Sequence, residues 1–334
     1  MKLAIFALSI IGTCFVSYAQ QGRNFSMWFL NHMQYNPASV GTNDNDIQLF
    51  SNFRYQYFTA TENPFQTISA SVEGKLFRSS TRNGYLGVGG SFLNDMSGDG
   101  KYSVTQINIP LAYHLFFNED NFISLGVQPG LYQRSLSSGN LTWDSQWIGY
   151  EFDQSIPGEK TPTAASTNFD VSAGLQYTYK MDYSRKIYFG AAVQHITQPQ
   201  LDFNIEDALF RRYTAQAGAN YRFKLSSFGI SPQVMVMLQG PNRNIVYGSN
   251  FDFYLQDPSI RTDFYRPTIF SFGLYHRYGE GIIANFSYRF QGLTIAASYD
   301  SNINRMLPAT SSVGGFEVAL KYDIILNRKG KFIY

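Results

Sequence analysis

The strongest constraint on the fold is a strict alternation of apolar and small polar residues along stretches of about ten residues. In "NFDVSAGLQYTYK", residues 168–180, every second position is apolar: Phe169, Val171, Ala173, Leu175, Tyr177 and Tyr179. The positions between them are small or polar: Asp170, Ser172, Gly174, Gln176, Thr178 and Lys180. "RYTAQAGANYRFK", residues 212–224, repeats the pattern. The alternation predicts strands with one apolar face, one polar face and aromatic ends.

About fourteen such stretches follow one another along the chain. They lie near residues 46–58, 66–78, 84–94, 102–116, 121–135, 168–180, 186–197, 211–224, 227–239, 244–255, 267–277, 281–291, 293–301 and 314–326. Each has roughly the length that a tilted strand needs to cross a bilayer. The predicted fold class is all-β, a transmembrane antiparallel β-barrel of about 14 strands with a short N-terminal helical or plug segment.

Composition separates this barrel from a soluble β-sandwich. Charged residues make up 15% of the chain and aromatic residues 17%, whereas a typical soluble domain is roughly 25% charged. Glycine, serine, glutamine and asparagine dominate the polar face, and aromatic residues gather at strand ends, as in the girdles of membrane barrels. No apolar run of about 18 residues follows the N-terminal stretch, which excludes helical spans. The net charge of +2 gives no support for a nucleic-acid partner.

The connections between the predicted strands alternate between short and long. "RSSTRN", "FNEDN", "KMDYSR" and "KLSS" are short, while residues 136–167, 198–210 and 302–313 are long and fall at the same end of the barrel. Outer-membrane barrels have this arrangement, with short turns facing the periplasm. Residues 256–267 do not fit, because by this count they should form a short turn. Either they extend into the periplasm or the strand count is wrong there.

The first residues, "MKLAIFALSIIGTCFVSYAQ", have the pattern of a secretory signal peptide. Lys2 provides the positive start, residues 3–13 the apolar core, and Ala19 the expected cleavage site, so export to the outer membrane is predicted. Cys14 is the single cysteine, and Thr13 before it argues against lipidation there. The predicted organisation is a signal peptide at 1–19, a plug or anchor segment at 20–44 and the barrel at 45–334.

"FSMWFLNHMQYNPASVGT", residues 25–42, is apolar at helical spacing and then reaches Asn36 and Pro37. Placed between a signal peptide and a barrel, it is predicted to be a short helix or turn at or inside the periplasmic mouth. Trp28 and Phe29 are expected to pack on the wall. Pro37 is expected to end the helix, because it cannot donate a backbone hydrogen bond.

The sequence provides no specific catalytic or metal-binding pattern. The four histidines are His32, His114, His195 and His276, and none has the spacing of a metal site. His114 is expected to face the lumen and His195 the lipid. "GVGG" at 87–90 is expected to allow close packing at the wall. We therefore predict neither enzymatic activity nor a cofactor, and an outer-membrane lipid hydrolase is the least favoured alternative.

The charged residues on the polar face have both signs in similar number. They are Arg54, Glu73, Lys75, Arg134, Asp170, Arg222, Asp252, Arg289, Asp300, Glu317, Lys321 and Asp323. A selective pore would more readily carry a ring of one sign, so the mixed set favours ion pairs that brace the lumen or hold a plug. Solvated side chains in a water-filled channel are the open alternative.

The N-terminal motif and the last strands resemble the PorP/SprF family of the Bacteroidota type IX secretion apparatus. The residues that carry the resemblance are Tyr35, Asn36, Pro37, Ala38 and Gly41, with "SYD" at 298–300 and "GGFE" at 314–317. Family members usually have aromatic-Asn-Pro-Ala-x-Ala-Gly, and here Val40 stands before the glycine. The resemblance covers essentially the whole chain after the signal peptide.

The resemblance implies a noncatalytic outer-membrane barrel that assists secretion or surface attachment of a cargo protein, in some relatives a gliding adhesin. The implied partners are membrane lipid, the C-terminal region of the cargo and other type IX components. Within the long loop, Trp143, Trp147, Tyr150 and Phe152 are the candidate partner-binding residues, since exposed aromatics often anchor interfaces. A loop folded into the barrel mouth is the alternative. A passive channel or hydrophobic-solute transporter is the alternative function.

Overall fold

The computed structural model describes residues 24–59, 61–77, 83–98, 100–118, 120–137, 141–153, 155–157, 165–182, 185–200, 208–256, 267–303 and 310–326. The predicted signal peptide lies outside the described residues. Where the chain is described, strands in a single antiparallel sheet account for most of it. No helix in these ranges is long and apolar enough to cross a membrane.

Fifteen strand segments make up the sheet. In chain order they are β1 (Ile47–Gln56), β2 (Phe65–Leu76), β3 (Gly84–Ser97), β4 (Tyr102–Asn108), β5 (Leu111–Phe116), β6 (Asn121–Ser135), β7 (Ala165–Asp182), β8 (Arg185–Gln194), β9 (Arg212–Arg222), β10 (Phe228–Gln239), β11 (Asn242–Gln256), β12 (Thr268–Arg277), β13 (Gly281–Phe290), β14 (Leu293–Asn302) and β15 (Val313–Ile324).

The sheet closes on itself because β1 pairs with both β2 and β15. Segments β4 and β5 share one position between β3 and β6, so the closed barrel has fourteen strand positions and the predicted antiparallel β-barrel is confirmed. The break falls at Pro110, which has no N–H to donate. Hydrogen bonds from Ile109 N to Pro129 O and from Gly89 N to Pro110 O, both 2.9 Å, continue the ladder across it.

The two faces of the wall differ as the alternation predicts. Along β1, Gln48, Asn52 and Arg54 are buried on the inner face, while Leu49 and Phe53 are exposed on the outer face. The same parity holds around the ring, so large apolar residues cover the outside. An apolar surface of this extent is not exposed to water in soluble proteins, so the outer face is the surface that contacts lipid.

Each connection joins two neighbouring strand positions, so connections alternate between the two ends of the barrel. One end, the long-loop end, carries the connections that follow Gln56 of β1, Ser135 of β6, Gln194 of β8 and Asn302 of β14. The opposite end, the short-turn end, carries the start of β1, the end of β15 and the brief connections such as 223–227 and 291–292. Strand β11 ends and β12 begins at the short-turn end, and the two strands pair with each other. The strand count near 256–267 is therefore right, although residues 257–266 lie outside the described ranges.

Residues 24–44, which we call the inner segment, precede β1 and form three single 3₁₀ turns. The turns span Trp28–Leu30, His32–Gln34 and Pro37–Ser39. The expectation that Pro37 ends a helix is wrong, because Pro37 is the first residue of the third turn. Its missing N–H needs no partner at that position and its fixed φ suits the turn. Asn36 caps the turn by accepting a 3.0 Å bond from Ala38 N.

The face assignment predicts how the barrel responds to a charge in its wall. Phe286, in the middle of β13, is half exposed on the outer face. We expect Phe286→Arg to lower the free energy of unfolding by about 2–4 kcal/mol, because the guanidinium would sit in hydrocarbon. Denaturant titration of the barrel in lipid vesicles measures this change.

The matched control is Tyr278→Arg, because Tyr278 is an exposed aromatic in the connection between β12 and β13 at the long-loop end. Its expected cost is about 0–1 kcal/mol, as for a charge near the interface. Equal losses for the two variants would contradict the assignment of the outer face to lipid.

Candidate functional site

The inner segment contacts the inward faces of strands on opposite sides of the ring, so it lies within the barrel. Ser26 bonds to β14 and β15, while Asn36 Nδ2 donates to Leu175 O of β7 at 3.1 Å. Phe29 stacks on Tyr275 of β12 with ring centroids 5.2 Å apart. Trp28 is buried in a cluster with Met235 and other apolar residues.

The start of the segment is held by a buried charge cluster of Arg54, Arg277, Asp300 and Glu317. The two oxygens of Glu317 accept the N–H groups of Ser26 (2.7 Å) and Met27 (3.1 Å). The Ser26 hydroxyl donates to Asp300 at 2.6 Å. The cluster therefore binds the segment through its backbone as well as through a side chain.

Ion pairs between residues of four strands complete this charge cluster. Arg54 lies 2.6 Å from Asp300 and 3.2 Å from Glu317, and Arg277 lies 3.3 Å from Asp300. Replacing a buried pair by apolar residues is often neutral, but removing one partner costs about 3–5 kcal/mol because a buried charge is left uncompensated. The cluster thus fixes where the segment starts against β1, β12, β14 and β15.

The motif residues after the cluster fit against glycines of the wall. A Cβ added at Gly126 would lie 2.3 Å from Ala38 N, and one added at Gly174 would lie 2.0 Å from Asn36 Oδ1. These inward glycines allow the segment's backbone to approach the wall more closely than any other residue would. Neither glycine stood out in the sequence, because each simply continues the small polar face of its strand.

The third turn is followed by Val40 and Gly41, which are also held by the wall. His114 Nε2 lies 2.8 Å from Val40 O, and the Tyr85 hydroxyl donates to Gly41 O at 2.8 Å. Gly41 has a φ of +75° and donates its N–H to Glu73 at 2.7 Å. His114 faces the lumen, as the sequence predicts.

"GVGG" at 87–90 provides room for the same part of the segment. A Cβ at Gly87 would lie 2.2 Å from Val40 O, and one at Gly89 would lie 2.9 Å from Val40 Cγ2. Any larger side chain at Gly87 would therefore collide with the carbonyl. The close packing expected of this stretch is made with the inner segment.

Tyr35, the aromatic residue of the motif, is buried and its hydroxyl accepts a 3.0 Å bond from Phe25 N. Burial raises the pKa of Tyr35 to about 12, so the phenol stays protonated at neutral pH. The hydroxyl thereby joins residues 25 and 35 and makes the segment compact.

The remaining predicted lumen charges all lie on the inward face but do not form one ring. Lys75 bonds to Asn43 O of the segment, Arg134 to the Tyr102 hydroxyl, and Arg222 stacks over the Tyr254 ring at 4.1 Å. Asp252 accepts bonds from two serine hydroxyls. Arg289 and Lys321 line a cavity near the short-turn end.

Asp170 pairs with His195, and this pair corrects the expected position of the histidine. His195 was expected to face lipid, but it is buried and its Nδ1 lies 2.6 Å from Asp170 Oδ2. The alternation ends with β8, and the positive φ of His195, 59°, turns its side chain inward. Thr197 also donates to Asp170, at 3.1 Å, so the carboxylate fastens the bend after β8.

Arg277 of the charge cluster and Ser26, which the cluster binds, were not predicted from the sequence. Arg277 ends β12 in phase with the inward residues Ser271 and Tyr275, so alternation alone would have placed it in the lumen. No pattern in the sequence around Ser26 indicated that it would bind the charge cluster. In the described part of the chain, no group of three His, Cys, Asp or Glu residues is arranged to hold a metal ion.

The candidate loop residues lie at the long-loop end on a small hairpin. Trp147 and Phe152 form an isolated β-bridge, with the turn between them at Gly149, where φ is +98°. Trp147 is 54% exposed and Tyr150 is 76% exposed. Trp143 is partly buried and caps the turn Asp144–Gln146. In the described part of this loop, Trp147, Tyr150 and Phe152 are therefore exposed aromatic side chains.

The charge cluster predicts that Glu317→Gln weakens both the barrel and the attachment of the segment. We expect the free energy of unfolding to fall by about 3 kcal/mol, because Arg54 loses one of its two carboxylates. Amide exchange at Ser26 and Met27 should quicken, since a neutral amide oxygen is a weaker acceptor. Hydrogen exchange with mass spectrometry measures the second effect.

Glu280→Gln is the control, because Glu280 pairs with Arg277 at 3.5 Å but its side chain is 43% exposed. The loss expected there is below about 1 kcal/mol. Unchanged exchange at Ser26 and Met27 in Glu317→Gln would show that the carboxylate does not hold the segment.

Comparison with known proteins gives the family and the fold. The PorP/SprF family of type IX secretion system membrane proteins matches residues 17–322. No curated protein sequence matches the chain significantly. Among solved structures, the toluene transporter TbuX of Ralstonia pickettii is 10% identical with a TM-score of 0.51, over 88% of this chain and 93% of that one.

Two further structures are less similar. They are the P. putida toluene transporter TodX (8% identity, TM-score 0.48, 88% and 93% covered) and a FadL homologue of Pseudomonas aeruginosa (12%, 0.43, 86% and 92%). At its low identity, the likeness to TbuX shows an outer-membrane barrel fold and nothing about the solute. Because the family match spans nearly the whole chain, the protein belongs to the PorP/SprF family of type IX secretion system membrane proteins and lies in the outer membrane.

Proposed function

We propose that this protein is a noncatalytic docking barrel, which binds the C-terminal region of an exported cargo protein at the cell surface and so assists its secretion or attachment. The observation that carries the proposal is the combination of an inner segment bound within the barrel and an exposed aromatic hairpin at the long-loop end. The first feature argues against a passage for solutes, and the second offers a surface for a partner. The family is one of secretion proteins and not an enzyme family.

The contacts of the inner segment support a plugged barrel. Its backbone is bound by charged side chains at Ser26 and Gly41, and its motif residues fit against inward glycines with no room for a Cβ. Displacing it would break these bonds and expose a charge cluster that is buried with it. A segment held in this way acts as a fixed plug in the resting barrel.

The hairpin of the long loop supports binding of a protein. Trp147, Tyr150 and Phe152 are exposed among polar and acidic neighbours such as Asp144 and Glu151. Large aromatic side chains that become buried on association contribute most of the energy at many interfaces. If short turns face the periplasm, the hairpin lies at the cell surface, where an exported protein emerges. Other type IX components are expected to contact the barrel as well.

A passive channel or a transporter of hydrophobic solutes is the second candidate, favoured by the shared fold with the toluene transporter TbuX. The inner face argues against it. Its buried residues are largely polar, including Gln48, Asn52, Gln128 and Gln176. An apolar solute would have to pass both these side chains and the bound segment.

Removing the inner segment should open the barrel. We expect wild-type protein in planar bilayers to be silent, and the deletion of residues 25–41 to give steady conductance without loss of insertion. A shift in heat-dependent migration on gels verifies insertion. Steady wild-type conductance would favour the channel, and failure of the deletion variant to insert would make the segment an assembly element.

The aromatic hairpin should be required for partner binding. We expect a Trp147→Ala, Tyr150→Ala, Phe152→Ala variant to lose at least tenfold in recovery of a large exported protein when the tagged barrel is purified from outer membranes. Loss of three anchors of about 1–2 kcal/mol each would suffice. The control is Tyr278→Ala, an exposed aromatic at the same end. Equal recovery by the two variants, or no exported protein with wild type, would contradict the docking role.

A further inference from the structure

A polar cavity of about 170 Å³ lies between the inner segment and the short-turn end of the lumen. Residues near the short-turn ends of their strands line it: Gln48 is the second residue of β1, Lys186 the second of β8, and Arg289 the last but one of β13. His32 and Thr42 of the segment form its other side. Nothing in the docking role described above uses this cavity.

Three cations from three strands line the cavity: Lys186, Arg289 and Lys321. In the described part of the chain, neither Lys186 nor Arg289 has a carboxylate within 4.0 Å, and Arg289 donates from Nε to the Thr294 hydroxyl at 3.4 Å. Lys321 lies 3.8 Å from Asp323, a long ion pair. Within the described ranges, Lys186 and Arg289 are therefore not paired with a carboxylate, and Lys321 is paired only at long distance.

The two carboxylates of the cavity are already hydrogen-bonded. Asp252 accepts one serine hydroxyl on each oxygen, from Ser231 at 2.7 Å and from Ser271 at 2.6 Å. Glu73 accepts bonds from Gly41 N and from the side chains of Asn43 and Gln48. These donors are neutral, so the hydrogen bonds named here to the two carboxylates do not use Lys186, Arg289 or Lys321.

The imidazole of His32 also lines the cavity. Burial, together with the nearby charges of Lys186 and Lys321, lowers its pKa to about 3, so the imidazole is neutral at physiological pH. The neutral imidazole and the amide side chains of the lining, such as Gln233 and Asn250, add hydrogen-bonding groups around the three cations. This combination of charged and neutral donors is the type of environment that binds an oxyanion.

We propose that this cavity binds a small oxyanion, a phosphate or a carboxylate, through Lys186, Arg289 and Lys321. Its volume equals about six water molecules in the liquid. That room suits one tetrahedral ion or one carboxylate group with its water, and not a folded segment. The position near the short-turn end means that the anion enters from the side that faces the periplasm in outer-membrane barrels. It is either a free ion or the carboxylate of a peptide.

The test is thermal unfolding of the full barrel in detergent, followed by tryptophan fluorescence, with inorganic phosphate added at constant ionic strength set by chloride. We expect a saturable rise of the midpoint in the wild type. In Lys186→Gln, Arg289→Gln protein, the apparent Kd should rise at least tenfold. A parallel titration uses a capped Gly-Glu-Gly peptide, and its capped Gly-Gln-Gly counterpart is the neutral control.

The matched control variant is Lys101→Gln, Arg211→Gln, which removes two exposed cations at the long-loop end. It should respond to phosphate as the wild type does. Lys321→Gln provides a second site variant if the double variant fails to fold. A saturable response to phosphate alone identifies a free ion, and a stronger response to the glutamate peptide identifies a peptide carboxylate. The proposal is overturned if the wild-type midpoint is the same in phosphate as in chloride, or if the site and control variants respond equally. Either result leaves the docking role untouched.

Discussion

The structure depends on one constraint: in a bilayer every backbone N–H and C=O of the wall must find a partner within the protein. Closure of β1 onto β15 meets this requirement, since it leaves no free edge. The pleat then directs alternate side chains outward and inward. An apolar exterior and a polar interior follow from the same geometry, and the interior must be filled by water, by its own side chains or by another part of the chain.

Here the chain fills part of that interior with its own N-terminal residues. The inner segment has only single 3₁₀ turns, so most of its backbone groups have no partner within the segment. The wall provides partners from specific positions: Glu317 for Ser26 and Met27, Glu73 for Gly41, and His114 for Val40. Inward glycines create the room for these contacts. The wall and the segment are therefore complementary in both hydrogen bonding and shape.

The same complementarity accounts for the mixed sign of the lumen charges. Around Ser26, Asp300 and Glu317 form ion pairs with Arg54, and Glu317 also accepts the backbone N–H of Ser26. At the short-turn end, Asp252 accepts its hydrogen bonds from neutral serine hydroxyls. Lys186 and Arg289 line the same cavity and form no ion pair among the described residues. The barrel thus has a charge cluster near its long-loop end and a cavity lined by three cations near its short-turn end.

Sequence reasoning was sound where structure follows from local periodicity. Alternation predicted the strands and the two faces, because both depend on neighbouring positions in one strand. It left open the strand count around residues 256–267, which the pairing of β11 with β12 decided. It failed where a single residue leaves the pattern. Pro37 begins a turn because Asn36 caps it, and the positive φ of His195 reverses the direction of its side chain.

The sequence by itself determined the closed barrel and the polarity of its faces, since a period of two and a lipid environment leave no other arrangement for these strands. Only the tertiary structure decided where residues 24–44 lie and which wall residues hold them. Ser26 and Glu317 are 291 residues apart, and no local pattern relates them. They meet because the closed ring encloses the segment and Glu317 of the last strand is directed into the lumen.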